Sequence, residues 1–172
     1  MMICTAKKAW ATIKTFNAKY CEFITPTNGT GEGVQRYGWT ASQYIQAIIE
    51  NLFGIDYDLH EKRLRIIPQI PKELMGKKIE ISNLKIPSHN DLRLNLKIMQ
   101  KEKGKAIVSV NFTGELPSDE IVEIGLPTHE GKPYTVKDKN GEKHHPVKVI
   151  DELTNISGIC LKMENNIELI FE

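Results

Sequence analysis

The hydrophobic pattern of the chain changes period near Gly54, and this change constrains the fold more than any other feature. Upstream of Gly54, apolar residues recur at three- and four-residue steps, which places side chains on one face of an α-helix. Downstream, apolar and polar residues alternate, as they do along half-buried antiparallel strands. The sequence therefore predicts an α+β protein, with a helical segment over residues 1–54 and a β-rich domain over residues 55–172.

The helical segment is predicted to contain two helices joined by a long loop. An apolar stripe over residues 3–20 fits a first helix of about five turns. A proline and several glycines interrupt the pattern over residues 25–38. Residues 40–43 fit a capping box that begins the second helix, and Gly54 fits its left-handed C-terminal stop. The predicted buried face of the second helix consists of Tyr44, Ile45, Ile48, Ile49, Leu52 and Phe53.

The β-rich domain is predicted to be an antiparallel β-sandwich, because several short alternating segments are separated by turn residues. Asn140 and Gly141 favour a type I′ turn between two strands of a hairpin. Two helices with one apolar stripe each cannot close a core alone, so they must pack on the sandwich or on a segment outside these residues. Because the helical pair ends abruptly in a sandwich, we expect it to belong to a larger helical domain. The predicted strands are residues 64–66, 79–81, 92–98, 107–110, 121–124, 146–150, 158–163 and 167–171.

Composition excludes several classes of partner. The formal net charge is +1, so no global field favours nucleic acid or an anionic membrane. No apolar run approaches the roughly 20 residues that span a bilayer, and the N-terminal residues lack the apolar region of a signal peptide. The three cysteines form neither a metal quartet nor an even disulfide framework. We expect a cytoplasmic protein without a cofactor.

Residues 20–40 carry the chemistry that can be read from the sequence. A carboxylate, Glu22, is predicted to close the first helix, and a glycine-rich loop containing Glu32 follows it. Glycine allows backbone to approach a ligand closely, and Trp39 offers a flat apolar face and an N–H donor for a sugar ring. Inverting hydrolysis of a glycoside needs two carboxyl groups about 6.5–9.5 Å apart.

At these residues the chain resembles the inverting (α/α)6-barrel glycosidases of the trehalase, glucoamylase and mannosylglycerate hydrolase type. The resemblance lies in a Glu followed by an aromatic residue (22–23), a glycine-rich loop (29–33) and a Tyr-Gly-Trp-Thr segment (37–40) that opens the last helix. The end of that helix (52–55) and the run Leu-Arg-Ile-Ile-Pro-Gln-Ile-Pro (64–71) are also similar to the family. The resemblance covers roughly residues 5–100, and residues 20–42 are its specific part.

The resemblance implies that Glu22 is the general base that deprotonates the attacking water. It implies that Trp39 lines the sugar subsite, with Glu32, Gln35 and Tyr37 as contacts to sugar hydroxyls. The family's general acid, an Asp in the middle of the barrel, has no matching segment in these 172 residues. The implied function is the C-terminal part of a glycosidase for α-linked glucosyl or mannosyl substrates, nearly inactive alone.

Each candidate residue also has a simpler interpretation. Glu22 fits a solvated residue at a helix end, Glu32 a loop tip, and Trp39 plain core packing. Adjacent histidines at 144 and 145 point to opposite faces of a strand, which disfavours a metal site. The remaining histidines, at 60, 89 and 129, lie near turns and are predicted to be solvated.

Two other functions stay open. The first is a non-catalytic β-sandwich accessory or carbohydrate-binding module, and the second is a folded remnant of a disrupted gene. The expected partners are a carbohydrate and either an N-terminal glycosidase fragment or a second copy, bound through the apolar stripe of the first helix.

Overall fold

The computed structural model describes residues 21–24, 31–35, 38–87, 89–102, 105–127, 134–138, 143–144, 148–151 and 156–172. The chain divides into two compact units, Met1–Gly54 (unit 1) and Ile55–Glu172 (unit 2). The predicted first helix, residues 3–20, lies outside the described residues.

Unit 1 contains a two-stranded hairpin followed by a helix. Strands β1 (Cys21–Ile24) and β2 (Gly31–Gln35) pair antiparallel. The helix α1 (Gly38–Gln46) continues as a π-helical segment, Ala47–Leu52. The predicted second helix is confirmed, although it begins two residues before the capping box. Gly54 has a φ of 65°, the left-handed conformation that ends a helix and that glycine adopts without steric cost.

The hairpin corrects the predicted position of Glu22 and of the loop behind it. Glu22 lies within strand β1 and not at the end of a helix, and Glu32 lies within strand β2 and not at a loop tip. The physical reason is local, because Phe23 and Ile24 favour extended backbone. Pairing with β2 also satisfies backbone groups that an isolated loop would leave to water.

The predicted buried face of α1 is wrong at Ile45, which is 55% exposed, whereas Phe53 is only 5% exposed. The change to π-helical winding at Ala47 explains the difference. A π-helix takes more residues per turn than an α-helix, so apolar positions before and after Ala47 do not fall on one line. The Phe53 N–H donates to the Ile48 carbonyl at 3.0 Å, the bond that closes this wider turn.

Unit 2 is a β-sandwich built from two sheets. A short 3-10 helix, Lys72–Leu74, lies between its second and third strands. The strands are β3 (Ile55–Asp58), β4 (Arg63–Ile66), β5 (Lys78–Lys85), β6 (Arg93–Glu102), β7 (Lys105–Thr113), β8 (Ile121–Pro127), β9 (Val136–Asp138), β10 (Lys143–His144), β11 (Lys148–Asp151), β12 (Ile156–Lys162) and β13 (Asn166–Phe171).

The order of strands in one sheet is β10-β9-β13-β7-β6-β5, and in the other it is β11-β12-β8-β4-β3. All neighbouring pairs described are antiparallel except β4 and β8, which run parallel with Leu64 opposite Val122. Strands β9 and β10 pair as the predicted hairpin, with Lys143 opposite Lys137. The sequence prediction of an antiparallel β-sandwich is confirmed, with this one parallel pair as an addition.

The core of unit 2 follows from the alternation of apolar residues in both sheets. Along β6 and β7 every second side chain is buried, so one face of the six-stranded sheet turns inward. Strand β8 is buried at every position from 122 to 126, which fits its central place in the five-stranded sheet. The largest of the almost fully enclosed side chains among the described residues are Phe171, Leu64, Ile66, Ile86, Leu92, Leu94, Leu96, Ile98, Ile124, Leu126, Leu169 and Val108.

Candidate functional site

The residues predicted to bind sugar are distributed over the elements of unit 1. Glu22 lies on β1, Glu32 and Gln35 lie on β2, and Trp39 is the second residue of α1. Tyr37 lies outside the described residues. The antiparallel register sets Phe23 opposite Glu32, so the backbones of Glu22 and Glu32 are close neighbours across the hairpin.

The pairing of β1 with β2 is irregular opposite Glu22. The register shifts between Cys21 and Phe23, where Glu22 alone faces two residues of β2, so the extra residue of the bulge belongs to β2. Bulges of this kind recur next to active sites, where they change the direction of a side chain. Helix α1 lies beside β1, with Cα atoms of the two elements within 8 Å of one another. The roles of Glu22, Glu32, Gln35, Tyr37 and Trp39 stay predictions.

A second candidate site lies in unit 2, and sequence reasoning missed it. The Tyr57 hydroxyl on β3 donates a hydrogen bond to Glu120 Oε1 at 2.6 Å. His89 Nε2 lies 2.9 Å from the same carboxylate oxygen and 3.1 Å from the Tyr57 hydroxyl. The Tyr57 and His89 rings meet edge to face, with centroids 5.8 Å apart. The prediction that His89 is solvated is wrong, because its side chain is only 21% exposed.

Glu120 is the buried member of this cluster, with 5% of its surface exposed. Its second oxygen, Oε2, is buried without a hydrogen-bond partner among the described residues. Burial, followed by the hydrogen bond and the charge of Glu120, raises the pKa of Tyr57 to about 12. The phenol therefore stays protonated at neutral pH and serves as a permanent donor to the carboxylate.

A polar groove opens beside the cluster. It encloses about 600 Å³ and is lined by residues 89–92 and 115–119. The first segment follows β5 and the second follows β7, so two separate connections form its walls. A groove of this volume falls within the range of about 300–1,000 Å³ that is typical of small-molecule sites.

Backbone contacts hold the two walls of the groove in place. The Ile86 N–H donates to the Leu92 carbonyl at 3.1 Å and closes the first connection. Gly114 has a φ of 106°, and a Cβ at this position would meet the Asp91 carbonyl oxygen at 2.4 Å. Only glycine permits this approach, and it brings the second connection against the first. Asp119 forms an ion pair with Lys62, which ties the second wall to the turn before β4.

A further buried carboxylate, Glu123, lies on the central strand β8. The Arg65 Nε donates to Glu123 Oε2 at 2.9 Å, and Arg63 approaches the same oxygen at 3.9 Å. The Cys160 thiol lies 3.4 Å from Glu123 Oε1. Because Arg65 and Cys160 are the register partners of Glu123 on β4 and β12, this cluster ties three strands together and has a structural role.

Neither a metal-binding cluster nor a membrane-spanning helix occurs in the described part of the chain. There, no group of three or more His, Cys, Asp or Glu side chains could hold a metal ion. Among the same residues, no helix has the length and apolar character needed to cross a membrane.

Comparison with known proteins finds similarity to solved structures. No family model matches the chain, and no curated protein matches it. The structure is similar to that of an α-L-rhamnosidase from Dictyoglumus thermophilum, with a TM-score of 0.48 and 11% sequence identity. The match covers 83% of this chain and 15% of the rhamnosidase chain, so this chain corresponds to a small part of that protein.

Proposed function

We propose that this chain is part of an inverting glycoside hydrolase for α-linked glucosyl or mannosyl substrates, with Glu22 as its general base. The observation that carries the proposal is the motif over residues 20–42, in which a carboxylate, a glycine-rich segment and Tyr-Gly-Trp-Thr follow in the order of the family it resembles. The bulge in β2 opposite Glu22 supports a functional role for this hairpin, because functional sites often contain such bulges.

In the proposed reaction, the Glu22 carboxylate takes a proton from a water molecule, and the water oxygen attacks the anomeric carbon. The bond from that carbon to the leaving oxygen breaks, and a general acid protonates this oxygen. Trp39 supports the sugar ring from α1, while Glu32, Gln35 and Tyr37 accept or donate hydrogen bonds to its hydroxyls. The acid must come from a barrel segment that has no match within these 172 residues.

The test is complementation by that segment. The chain is co-expressed with a barrel fragment that carries the missing acid, and release of glucose or mannose from α-glycosides is measured. We expect hydrolysis with inversion, and a loss of at least about a hundredfold on Glu22→Gln, since general base catalysis contributes about 10²–10⁴.

Glu50→Gln is the matched control, because Glu50 is an exposed carboxylate of unit 1 whose side chain accepts a bond from Gln46 at 2.9 Å. Activity that survives Glu22→Gln would show that the base is another residue. A Glu50→Gln variant as impaired as Glu22→Gln would show only that unit 1 tolerates no loss of charge.

A second candidate function is a non-catalytic carbohydrate-binding module. The polar groove of unit 2 favours it, because a binding module needs a site but no acid and base pair. The two functions differ in their response to complementation. A binding module binds oligosaccharide and releases no sugar, whichever barrel fragment is supplied.

A further inference from the structure

The groove of unit 2 has the surface chemistry of a site for a neutral polyol. Its walls present an amide at Asn90, a hydroxyl at Ser118 and carboxylates at Asp91 and Glu115. These side chains are exposed, and together they supply both donors and acceptors. Half-buried Leu116 and Pro117 add an apolar patch of the kind that the C–H face of a sugar ring covers.

The charge of the groove restricts what it can bind. Within the described part of the chain, Asp91 and Glu115 take part in no ion pair, whereas Asp119 is paired with Lys62. An anion would therefore face uncompensated negative charge. A structural metal ion is disfavoured as well, because no group of three ligating side chains occurs in the part of the chain that the structure describes. A neutral ligand rich in hydroxyl groups is not repelled by the carboxylates and does not need three metal-ligating side chains.

The buried cluster behind the groove fixes the orientation of its histidine. The Glu120 carboxylate lies 2.9 Å from His89 Nε2 and receives a second bond from Tyr57 at 2.6 Å. A carboxylate accepts hydrogen bonds, so the proton of a neutral His89 lies on Nε2 and its Nδ1 is an acceptor. Buried Glu120 and half-buried Tyr57 thus hold one wall residue in one tautomer before any ligand arrives, which lowers the entropic cost of binding.

From this geometry we propose that the groove of unit 2, between residues 89–92 and 115–119, binds one neutral pyranose unit. The choice of a sugar among neutral polyols rests on the proposed function. The location of the binding site rests only on the geometry of the groove in unit 2. Asn90 and Glu115 bind the hydroxyls, His89 Nδ1 accepts a further hydrogen bond, and Leu116 and Pro117 contact the ring.

The test is an NMR titration of the full chain with methyl α-glucoside, methyl α-mannoside and trehalose, followed through backbone amide shifts. We expect saturable shifts that map to residues 89–92 and 115–119 with at least one of the three sugars.

Asn90→Ala and Glu115→Gln should each weaken binding about tenfold, as expected for one lost hydrogen bond. Glu73→Gln is the matched control, since Glu73 is an exposed carboxylate of the same unit, on the 3-10 helix. The amide spectrum of each variant shows directly whether it is folded.

Absence of saturable shifts in both segments with all three sugars overturns the inference. Saturation by calcium chloride or spermidine alone overturns it too, because the groove would then be a cation site. Binding that disappears in Glu22→Gln or Trp39→Ala while Asn90→Ala binds normally places the sugar in unit 1, and only the groove is then rejected. Groove binding without hydrolysis in the complementation assay rejects only the proposed catalytic function.

Discussion

Tyr57 donates its phenolic proton to the buried carboxylate of Glu120, and this contact determines how the phenol responds to pH. Burial, with Glu120 as the second cause, raises the pKa of Tyr57 to about 12. An unfolded tyrosine ionises near pH 10. The protonated form is therefore favoured in the folded state. Its stabilising contribution is complete below about pH 10 and is lost as the pH rises from about 10 to 12.

We expect a spectrophotometric titration at 295 nm to show late-ionising tyrosines, and Tyr57→Phe should reduce their number by one. Tyr134 should remain among the late tyrosines in this variant, because burial raises its pKa as well. Tyr57→Phe should also lower the free energy of unfolding at neutral pH by about 1–3 kcal/mol, since Glu120 loses a donor. If Tyr57→Phe has the same high-pH titration as the unmodified chain, Tyr57 is not one of the late-ionising tyrosines.

Gly114 allows the two walls of the groove to approach, and its replacement tests that role. In Gly114→Ala the new Cβ would meet the Asp91 carbonyl oxygen at 2.4 Å with φ at 106°. We expect destabilisation of at least about 2 kcal/mol, from the left-handed backbone and from overpacking together. Urea unfolding followed by circular dichroism measures the change.

The matched control is Gly76→Ala, where φ is also positive at 76° but nothing lies within 4 Å of the added Cβ. Its free energy of unfolding should fall by only about 1–2 kcal/mol, the cost of holding an alanine in the left-handed conformation. Equal losses in the two alanine variants would show that the contact with Asp91 has no energetic weight.

Among the strands, the register of β4, β8 and β12 brings Arg65, Glu123 and Cys160 together. Glu123 is 6% exposed and its ion pair with Arg65 is partly buried. In Glu123→Gln the buried oxygen loses its charge while Arg65 keeps its own. We expect a loss of about 1.5–3 kcal/mol in the free energy of unfolding, the range for hydrogen bonds that involve a charged group.

Glu80→Gln provides the comparison, because Glu80 pairs with Lys78 on the exposed surface of β5 at 2.8 Å. Solvent and salt screen such a pair. The midpoint of thermal unfolding of Glu80→Gln should therefore equal that of the unmodified chain. A Glu123→Gln variant as stable as Glu80→Gln would mean that the Glu123 cluster does not tie the strands together energetically.

The elements that the sequence predicted are those whose own residues carry a strong pattern. Strands β6, β7 and β13 alternate apolar and polar residues, and β8 contains an apolar run. The hairpin β1–β2 was missed because glycine-rich Gly31–Gln35 resembles a loop, and pairing with Cys21–Ile24 gives it extended structure. The short strands β3, β9 and β10 contain too few residues to show a period.

The candidate sites differ in how far sequence reasoning could reach them. The motif around Glu22 is contiguous, so residue types and order could be read directly. The cluster in unit 2 joins Tyr57, His89 and Glu120 through tertiary contacts. His89 lies 32 positions after Tyr57 in the sequence, and Glu120 lies 63 positions after it. A tyrosine in a strand with a distant histidine and glutamate gives no local signal, because only the packing of the sandwich brings them into contact.

At the scale of the whole molecule, the division at Gly54 makes a prediction about folding. The enclosed side chains of the sandwich, from Leu64 to Phe171, all come from unit 2. A chain of this length can bury enough apolar surface to fold alone. We therefore expect residues 55–172, expressed without unit 1, to form the same sandwich.

The measurement combines far-ultraviolet circular dichroism, urea unfolding and the tyrosine titration. Strand content and a single cooperative transition would show a compact fold. Late ionisation of Tyr57 would show that the contact with Glu120 has formed, since an expanded state with strands but loose packing would expose the phenol. If residues 55–172 lack a cooperative transition, or if Tyr57 ionises near pH 10, the sandwich requires unit 1. The folding unit would then be the whole chain, because burial in unit 2 alone would not offset the entropy of ordering it.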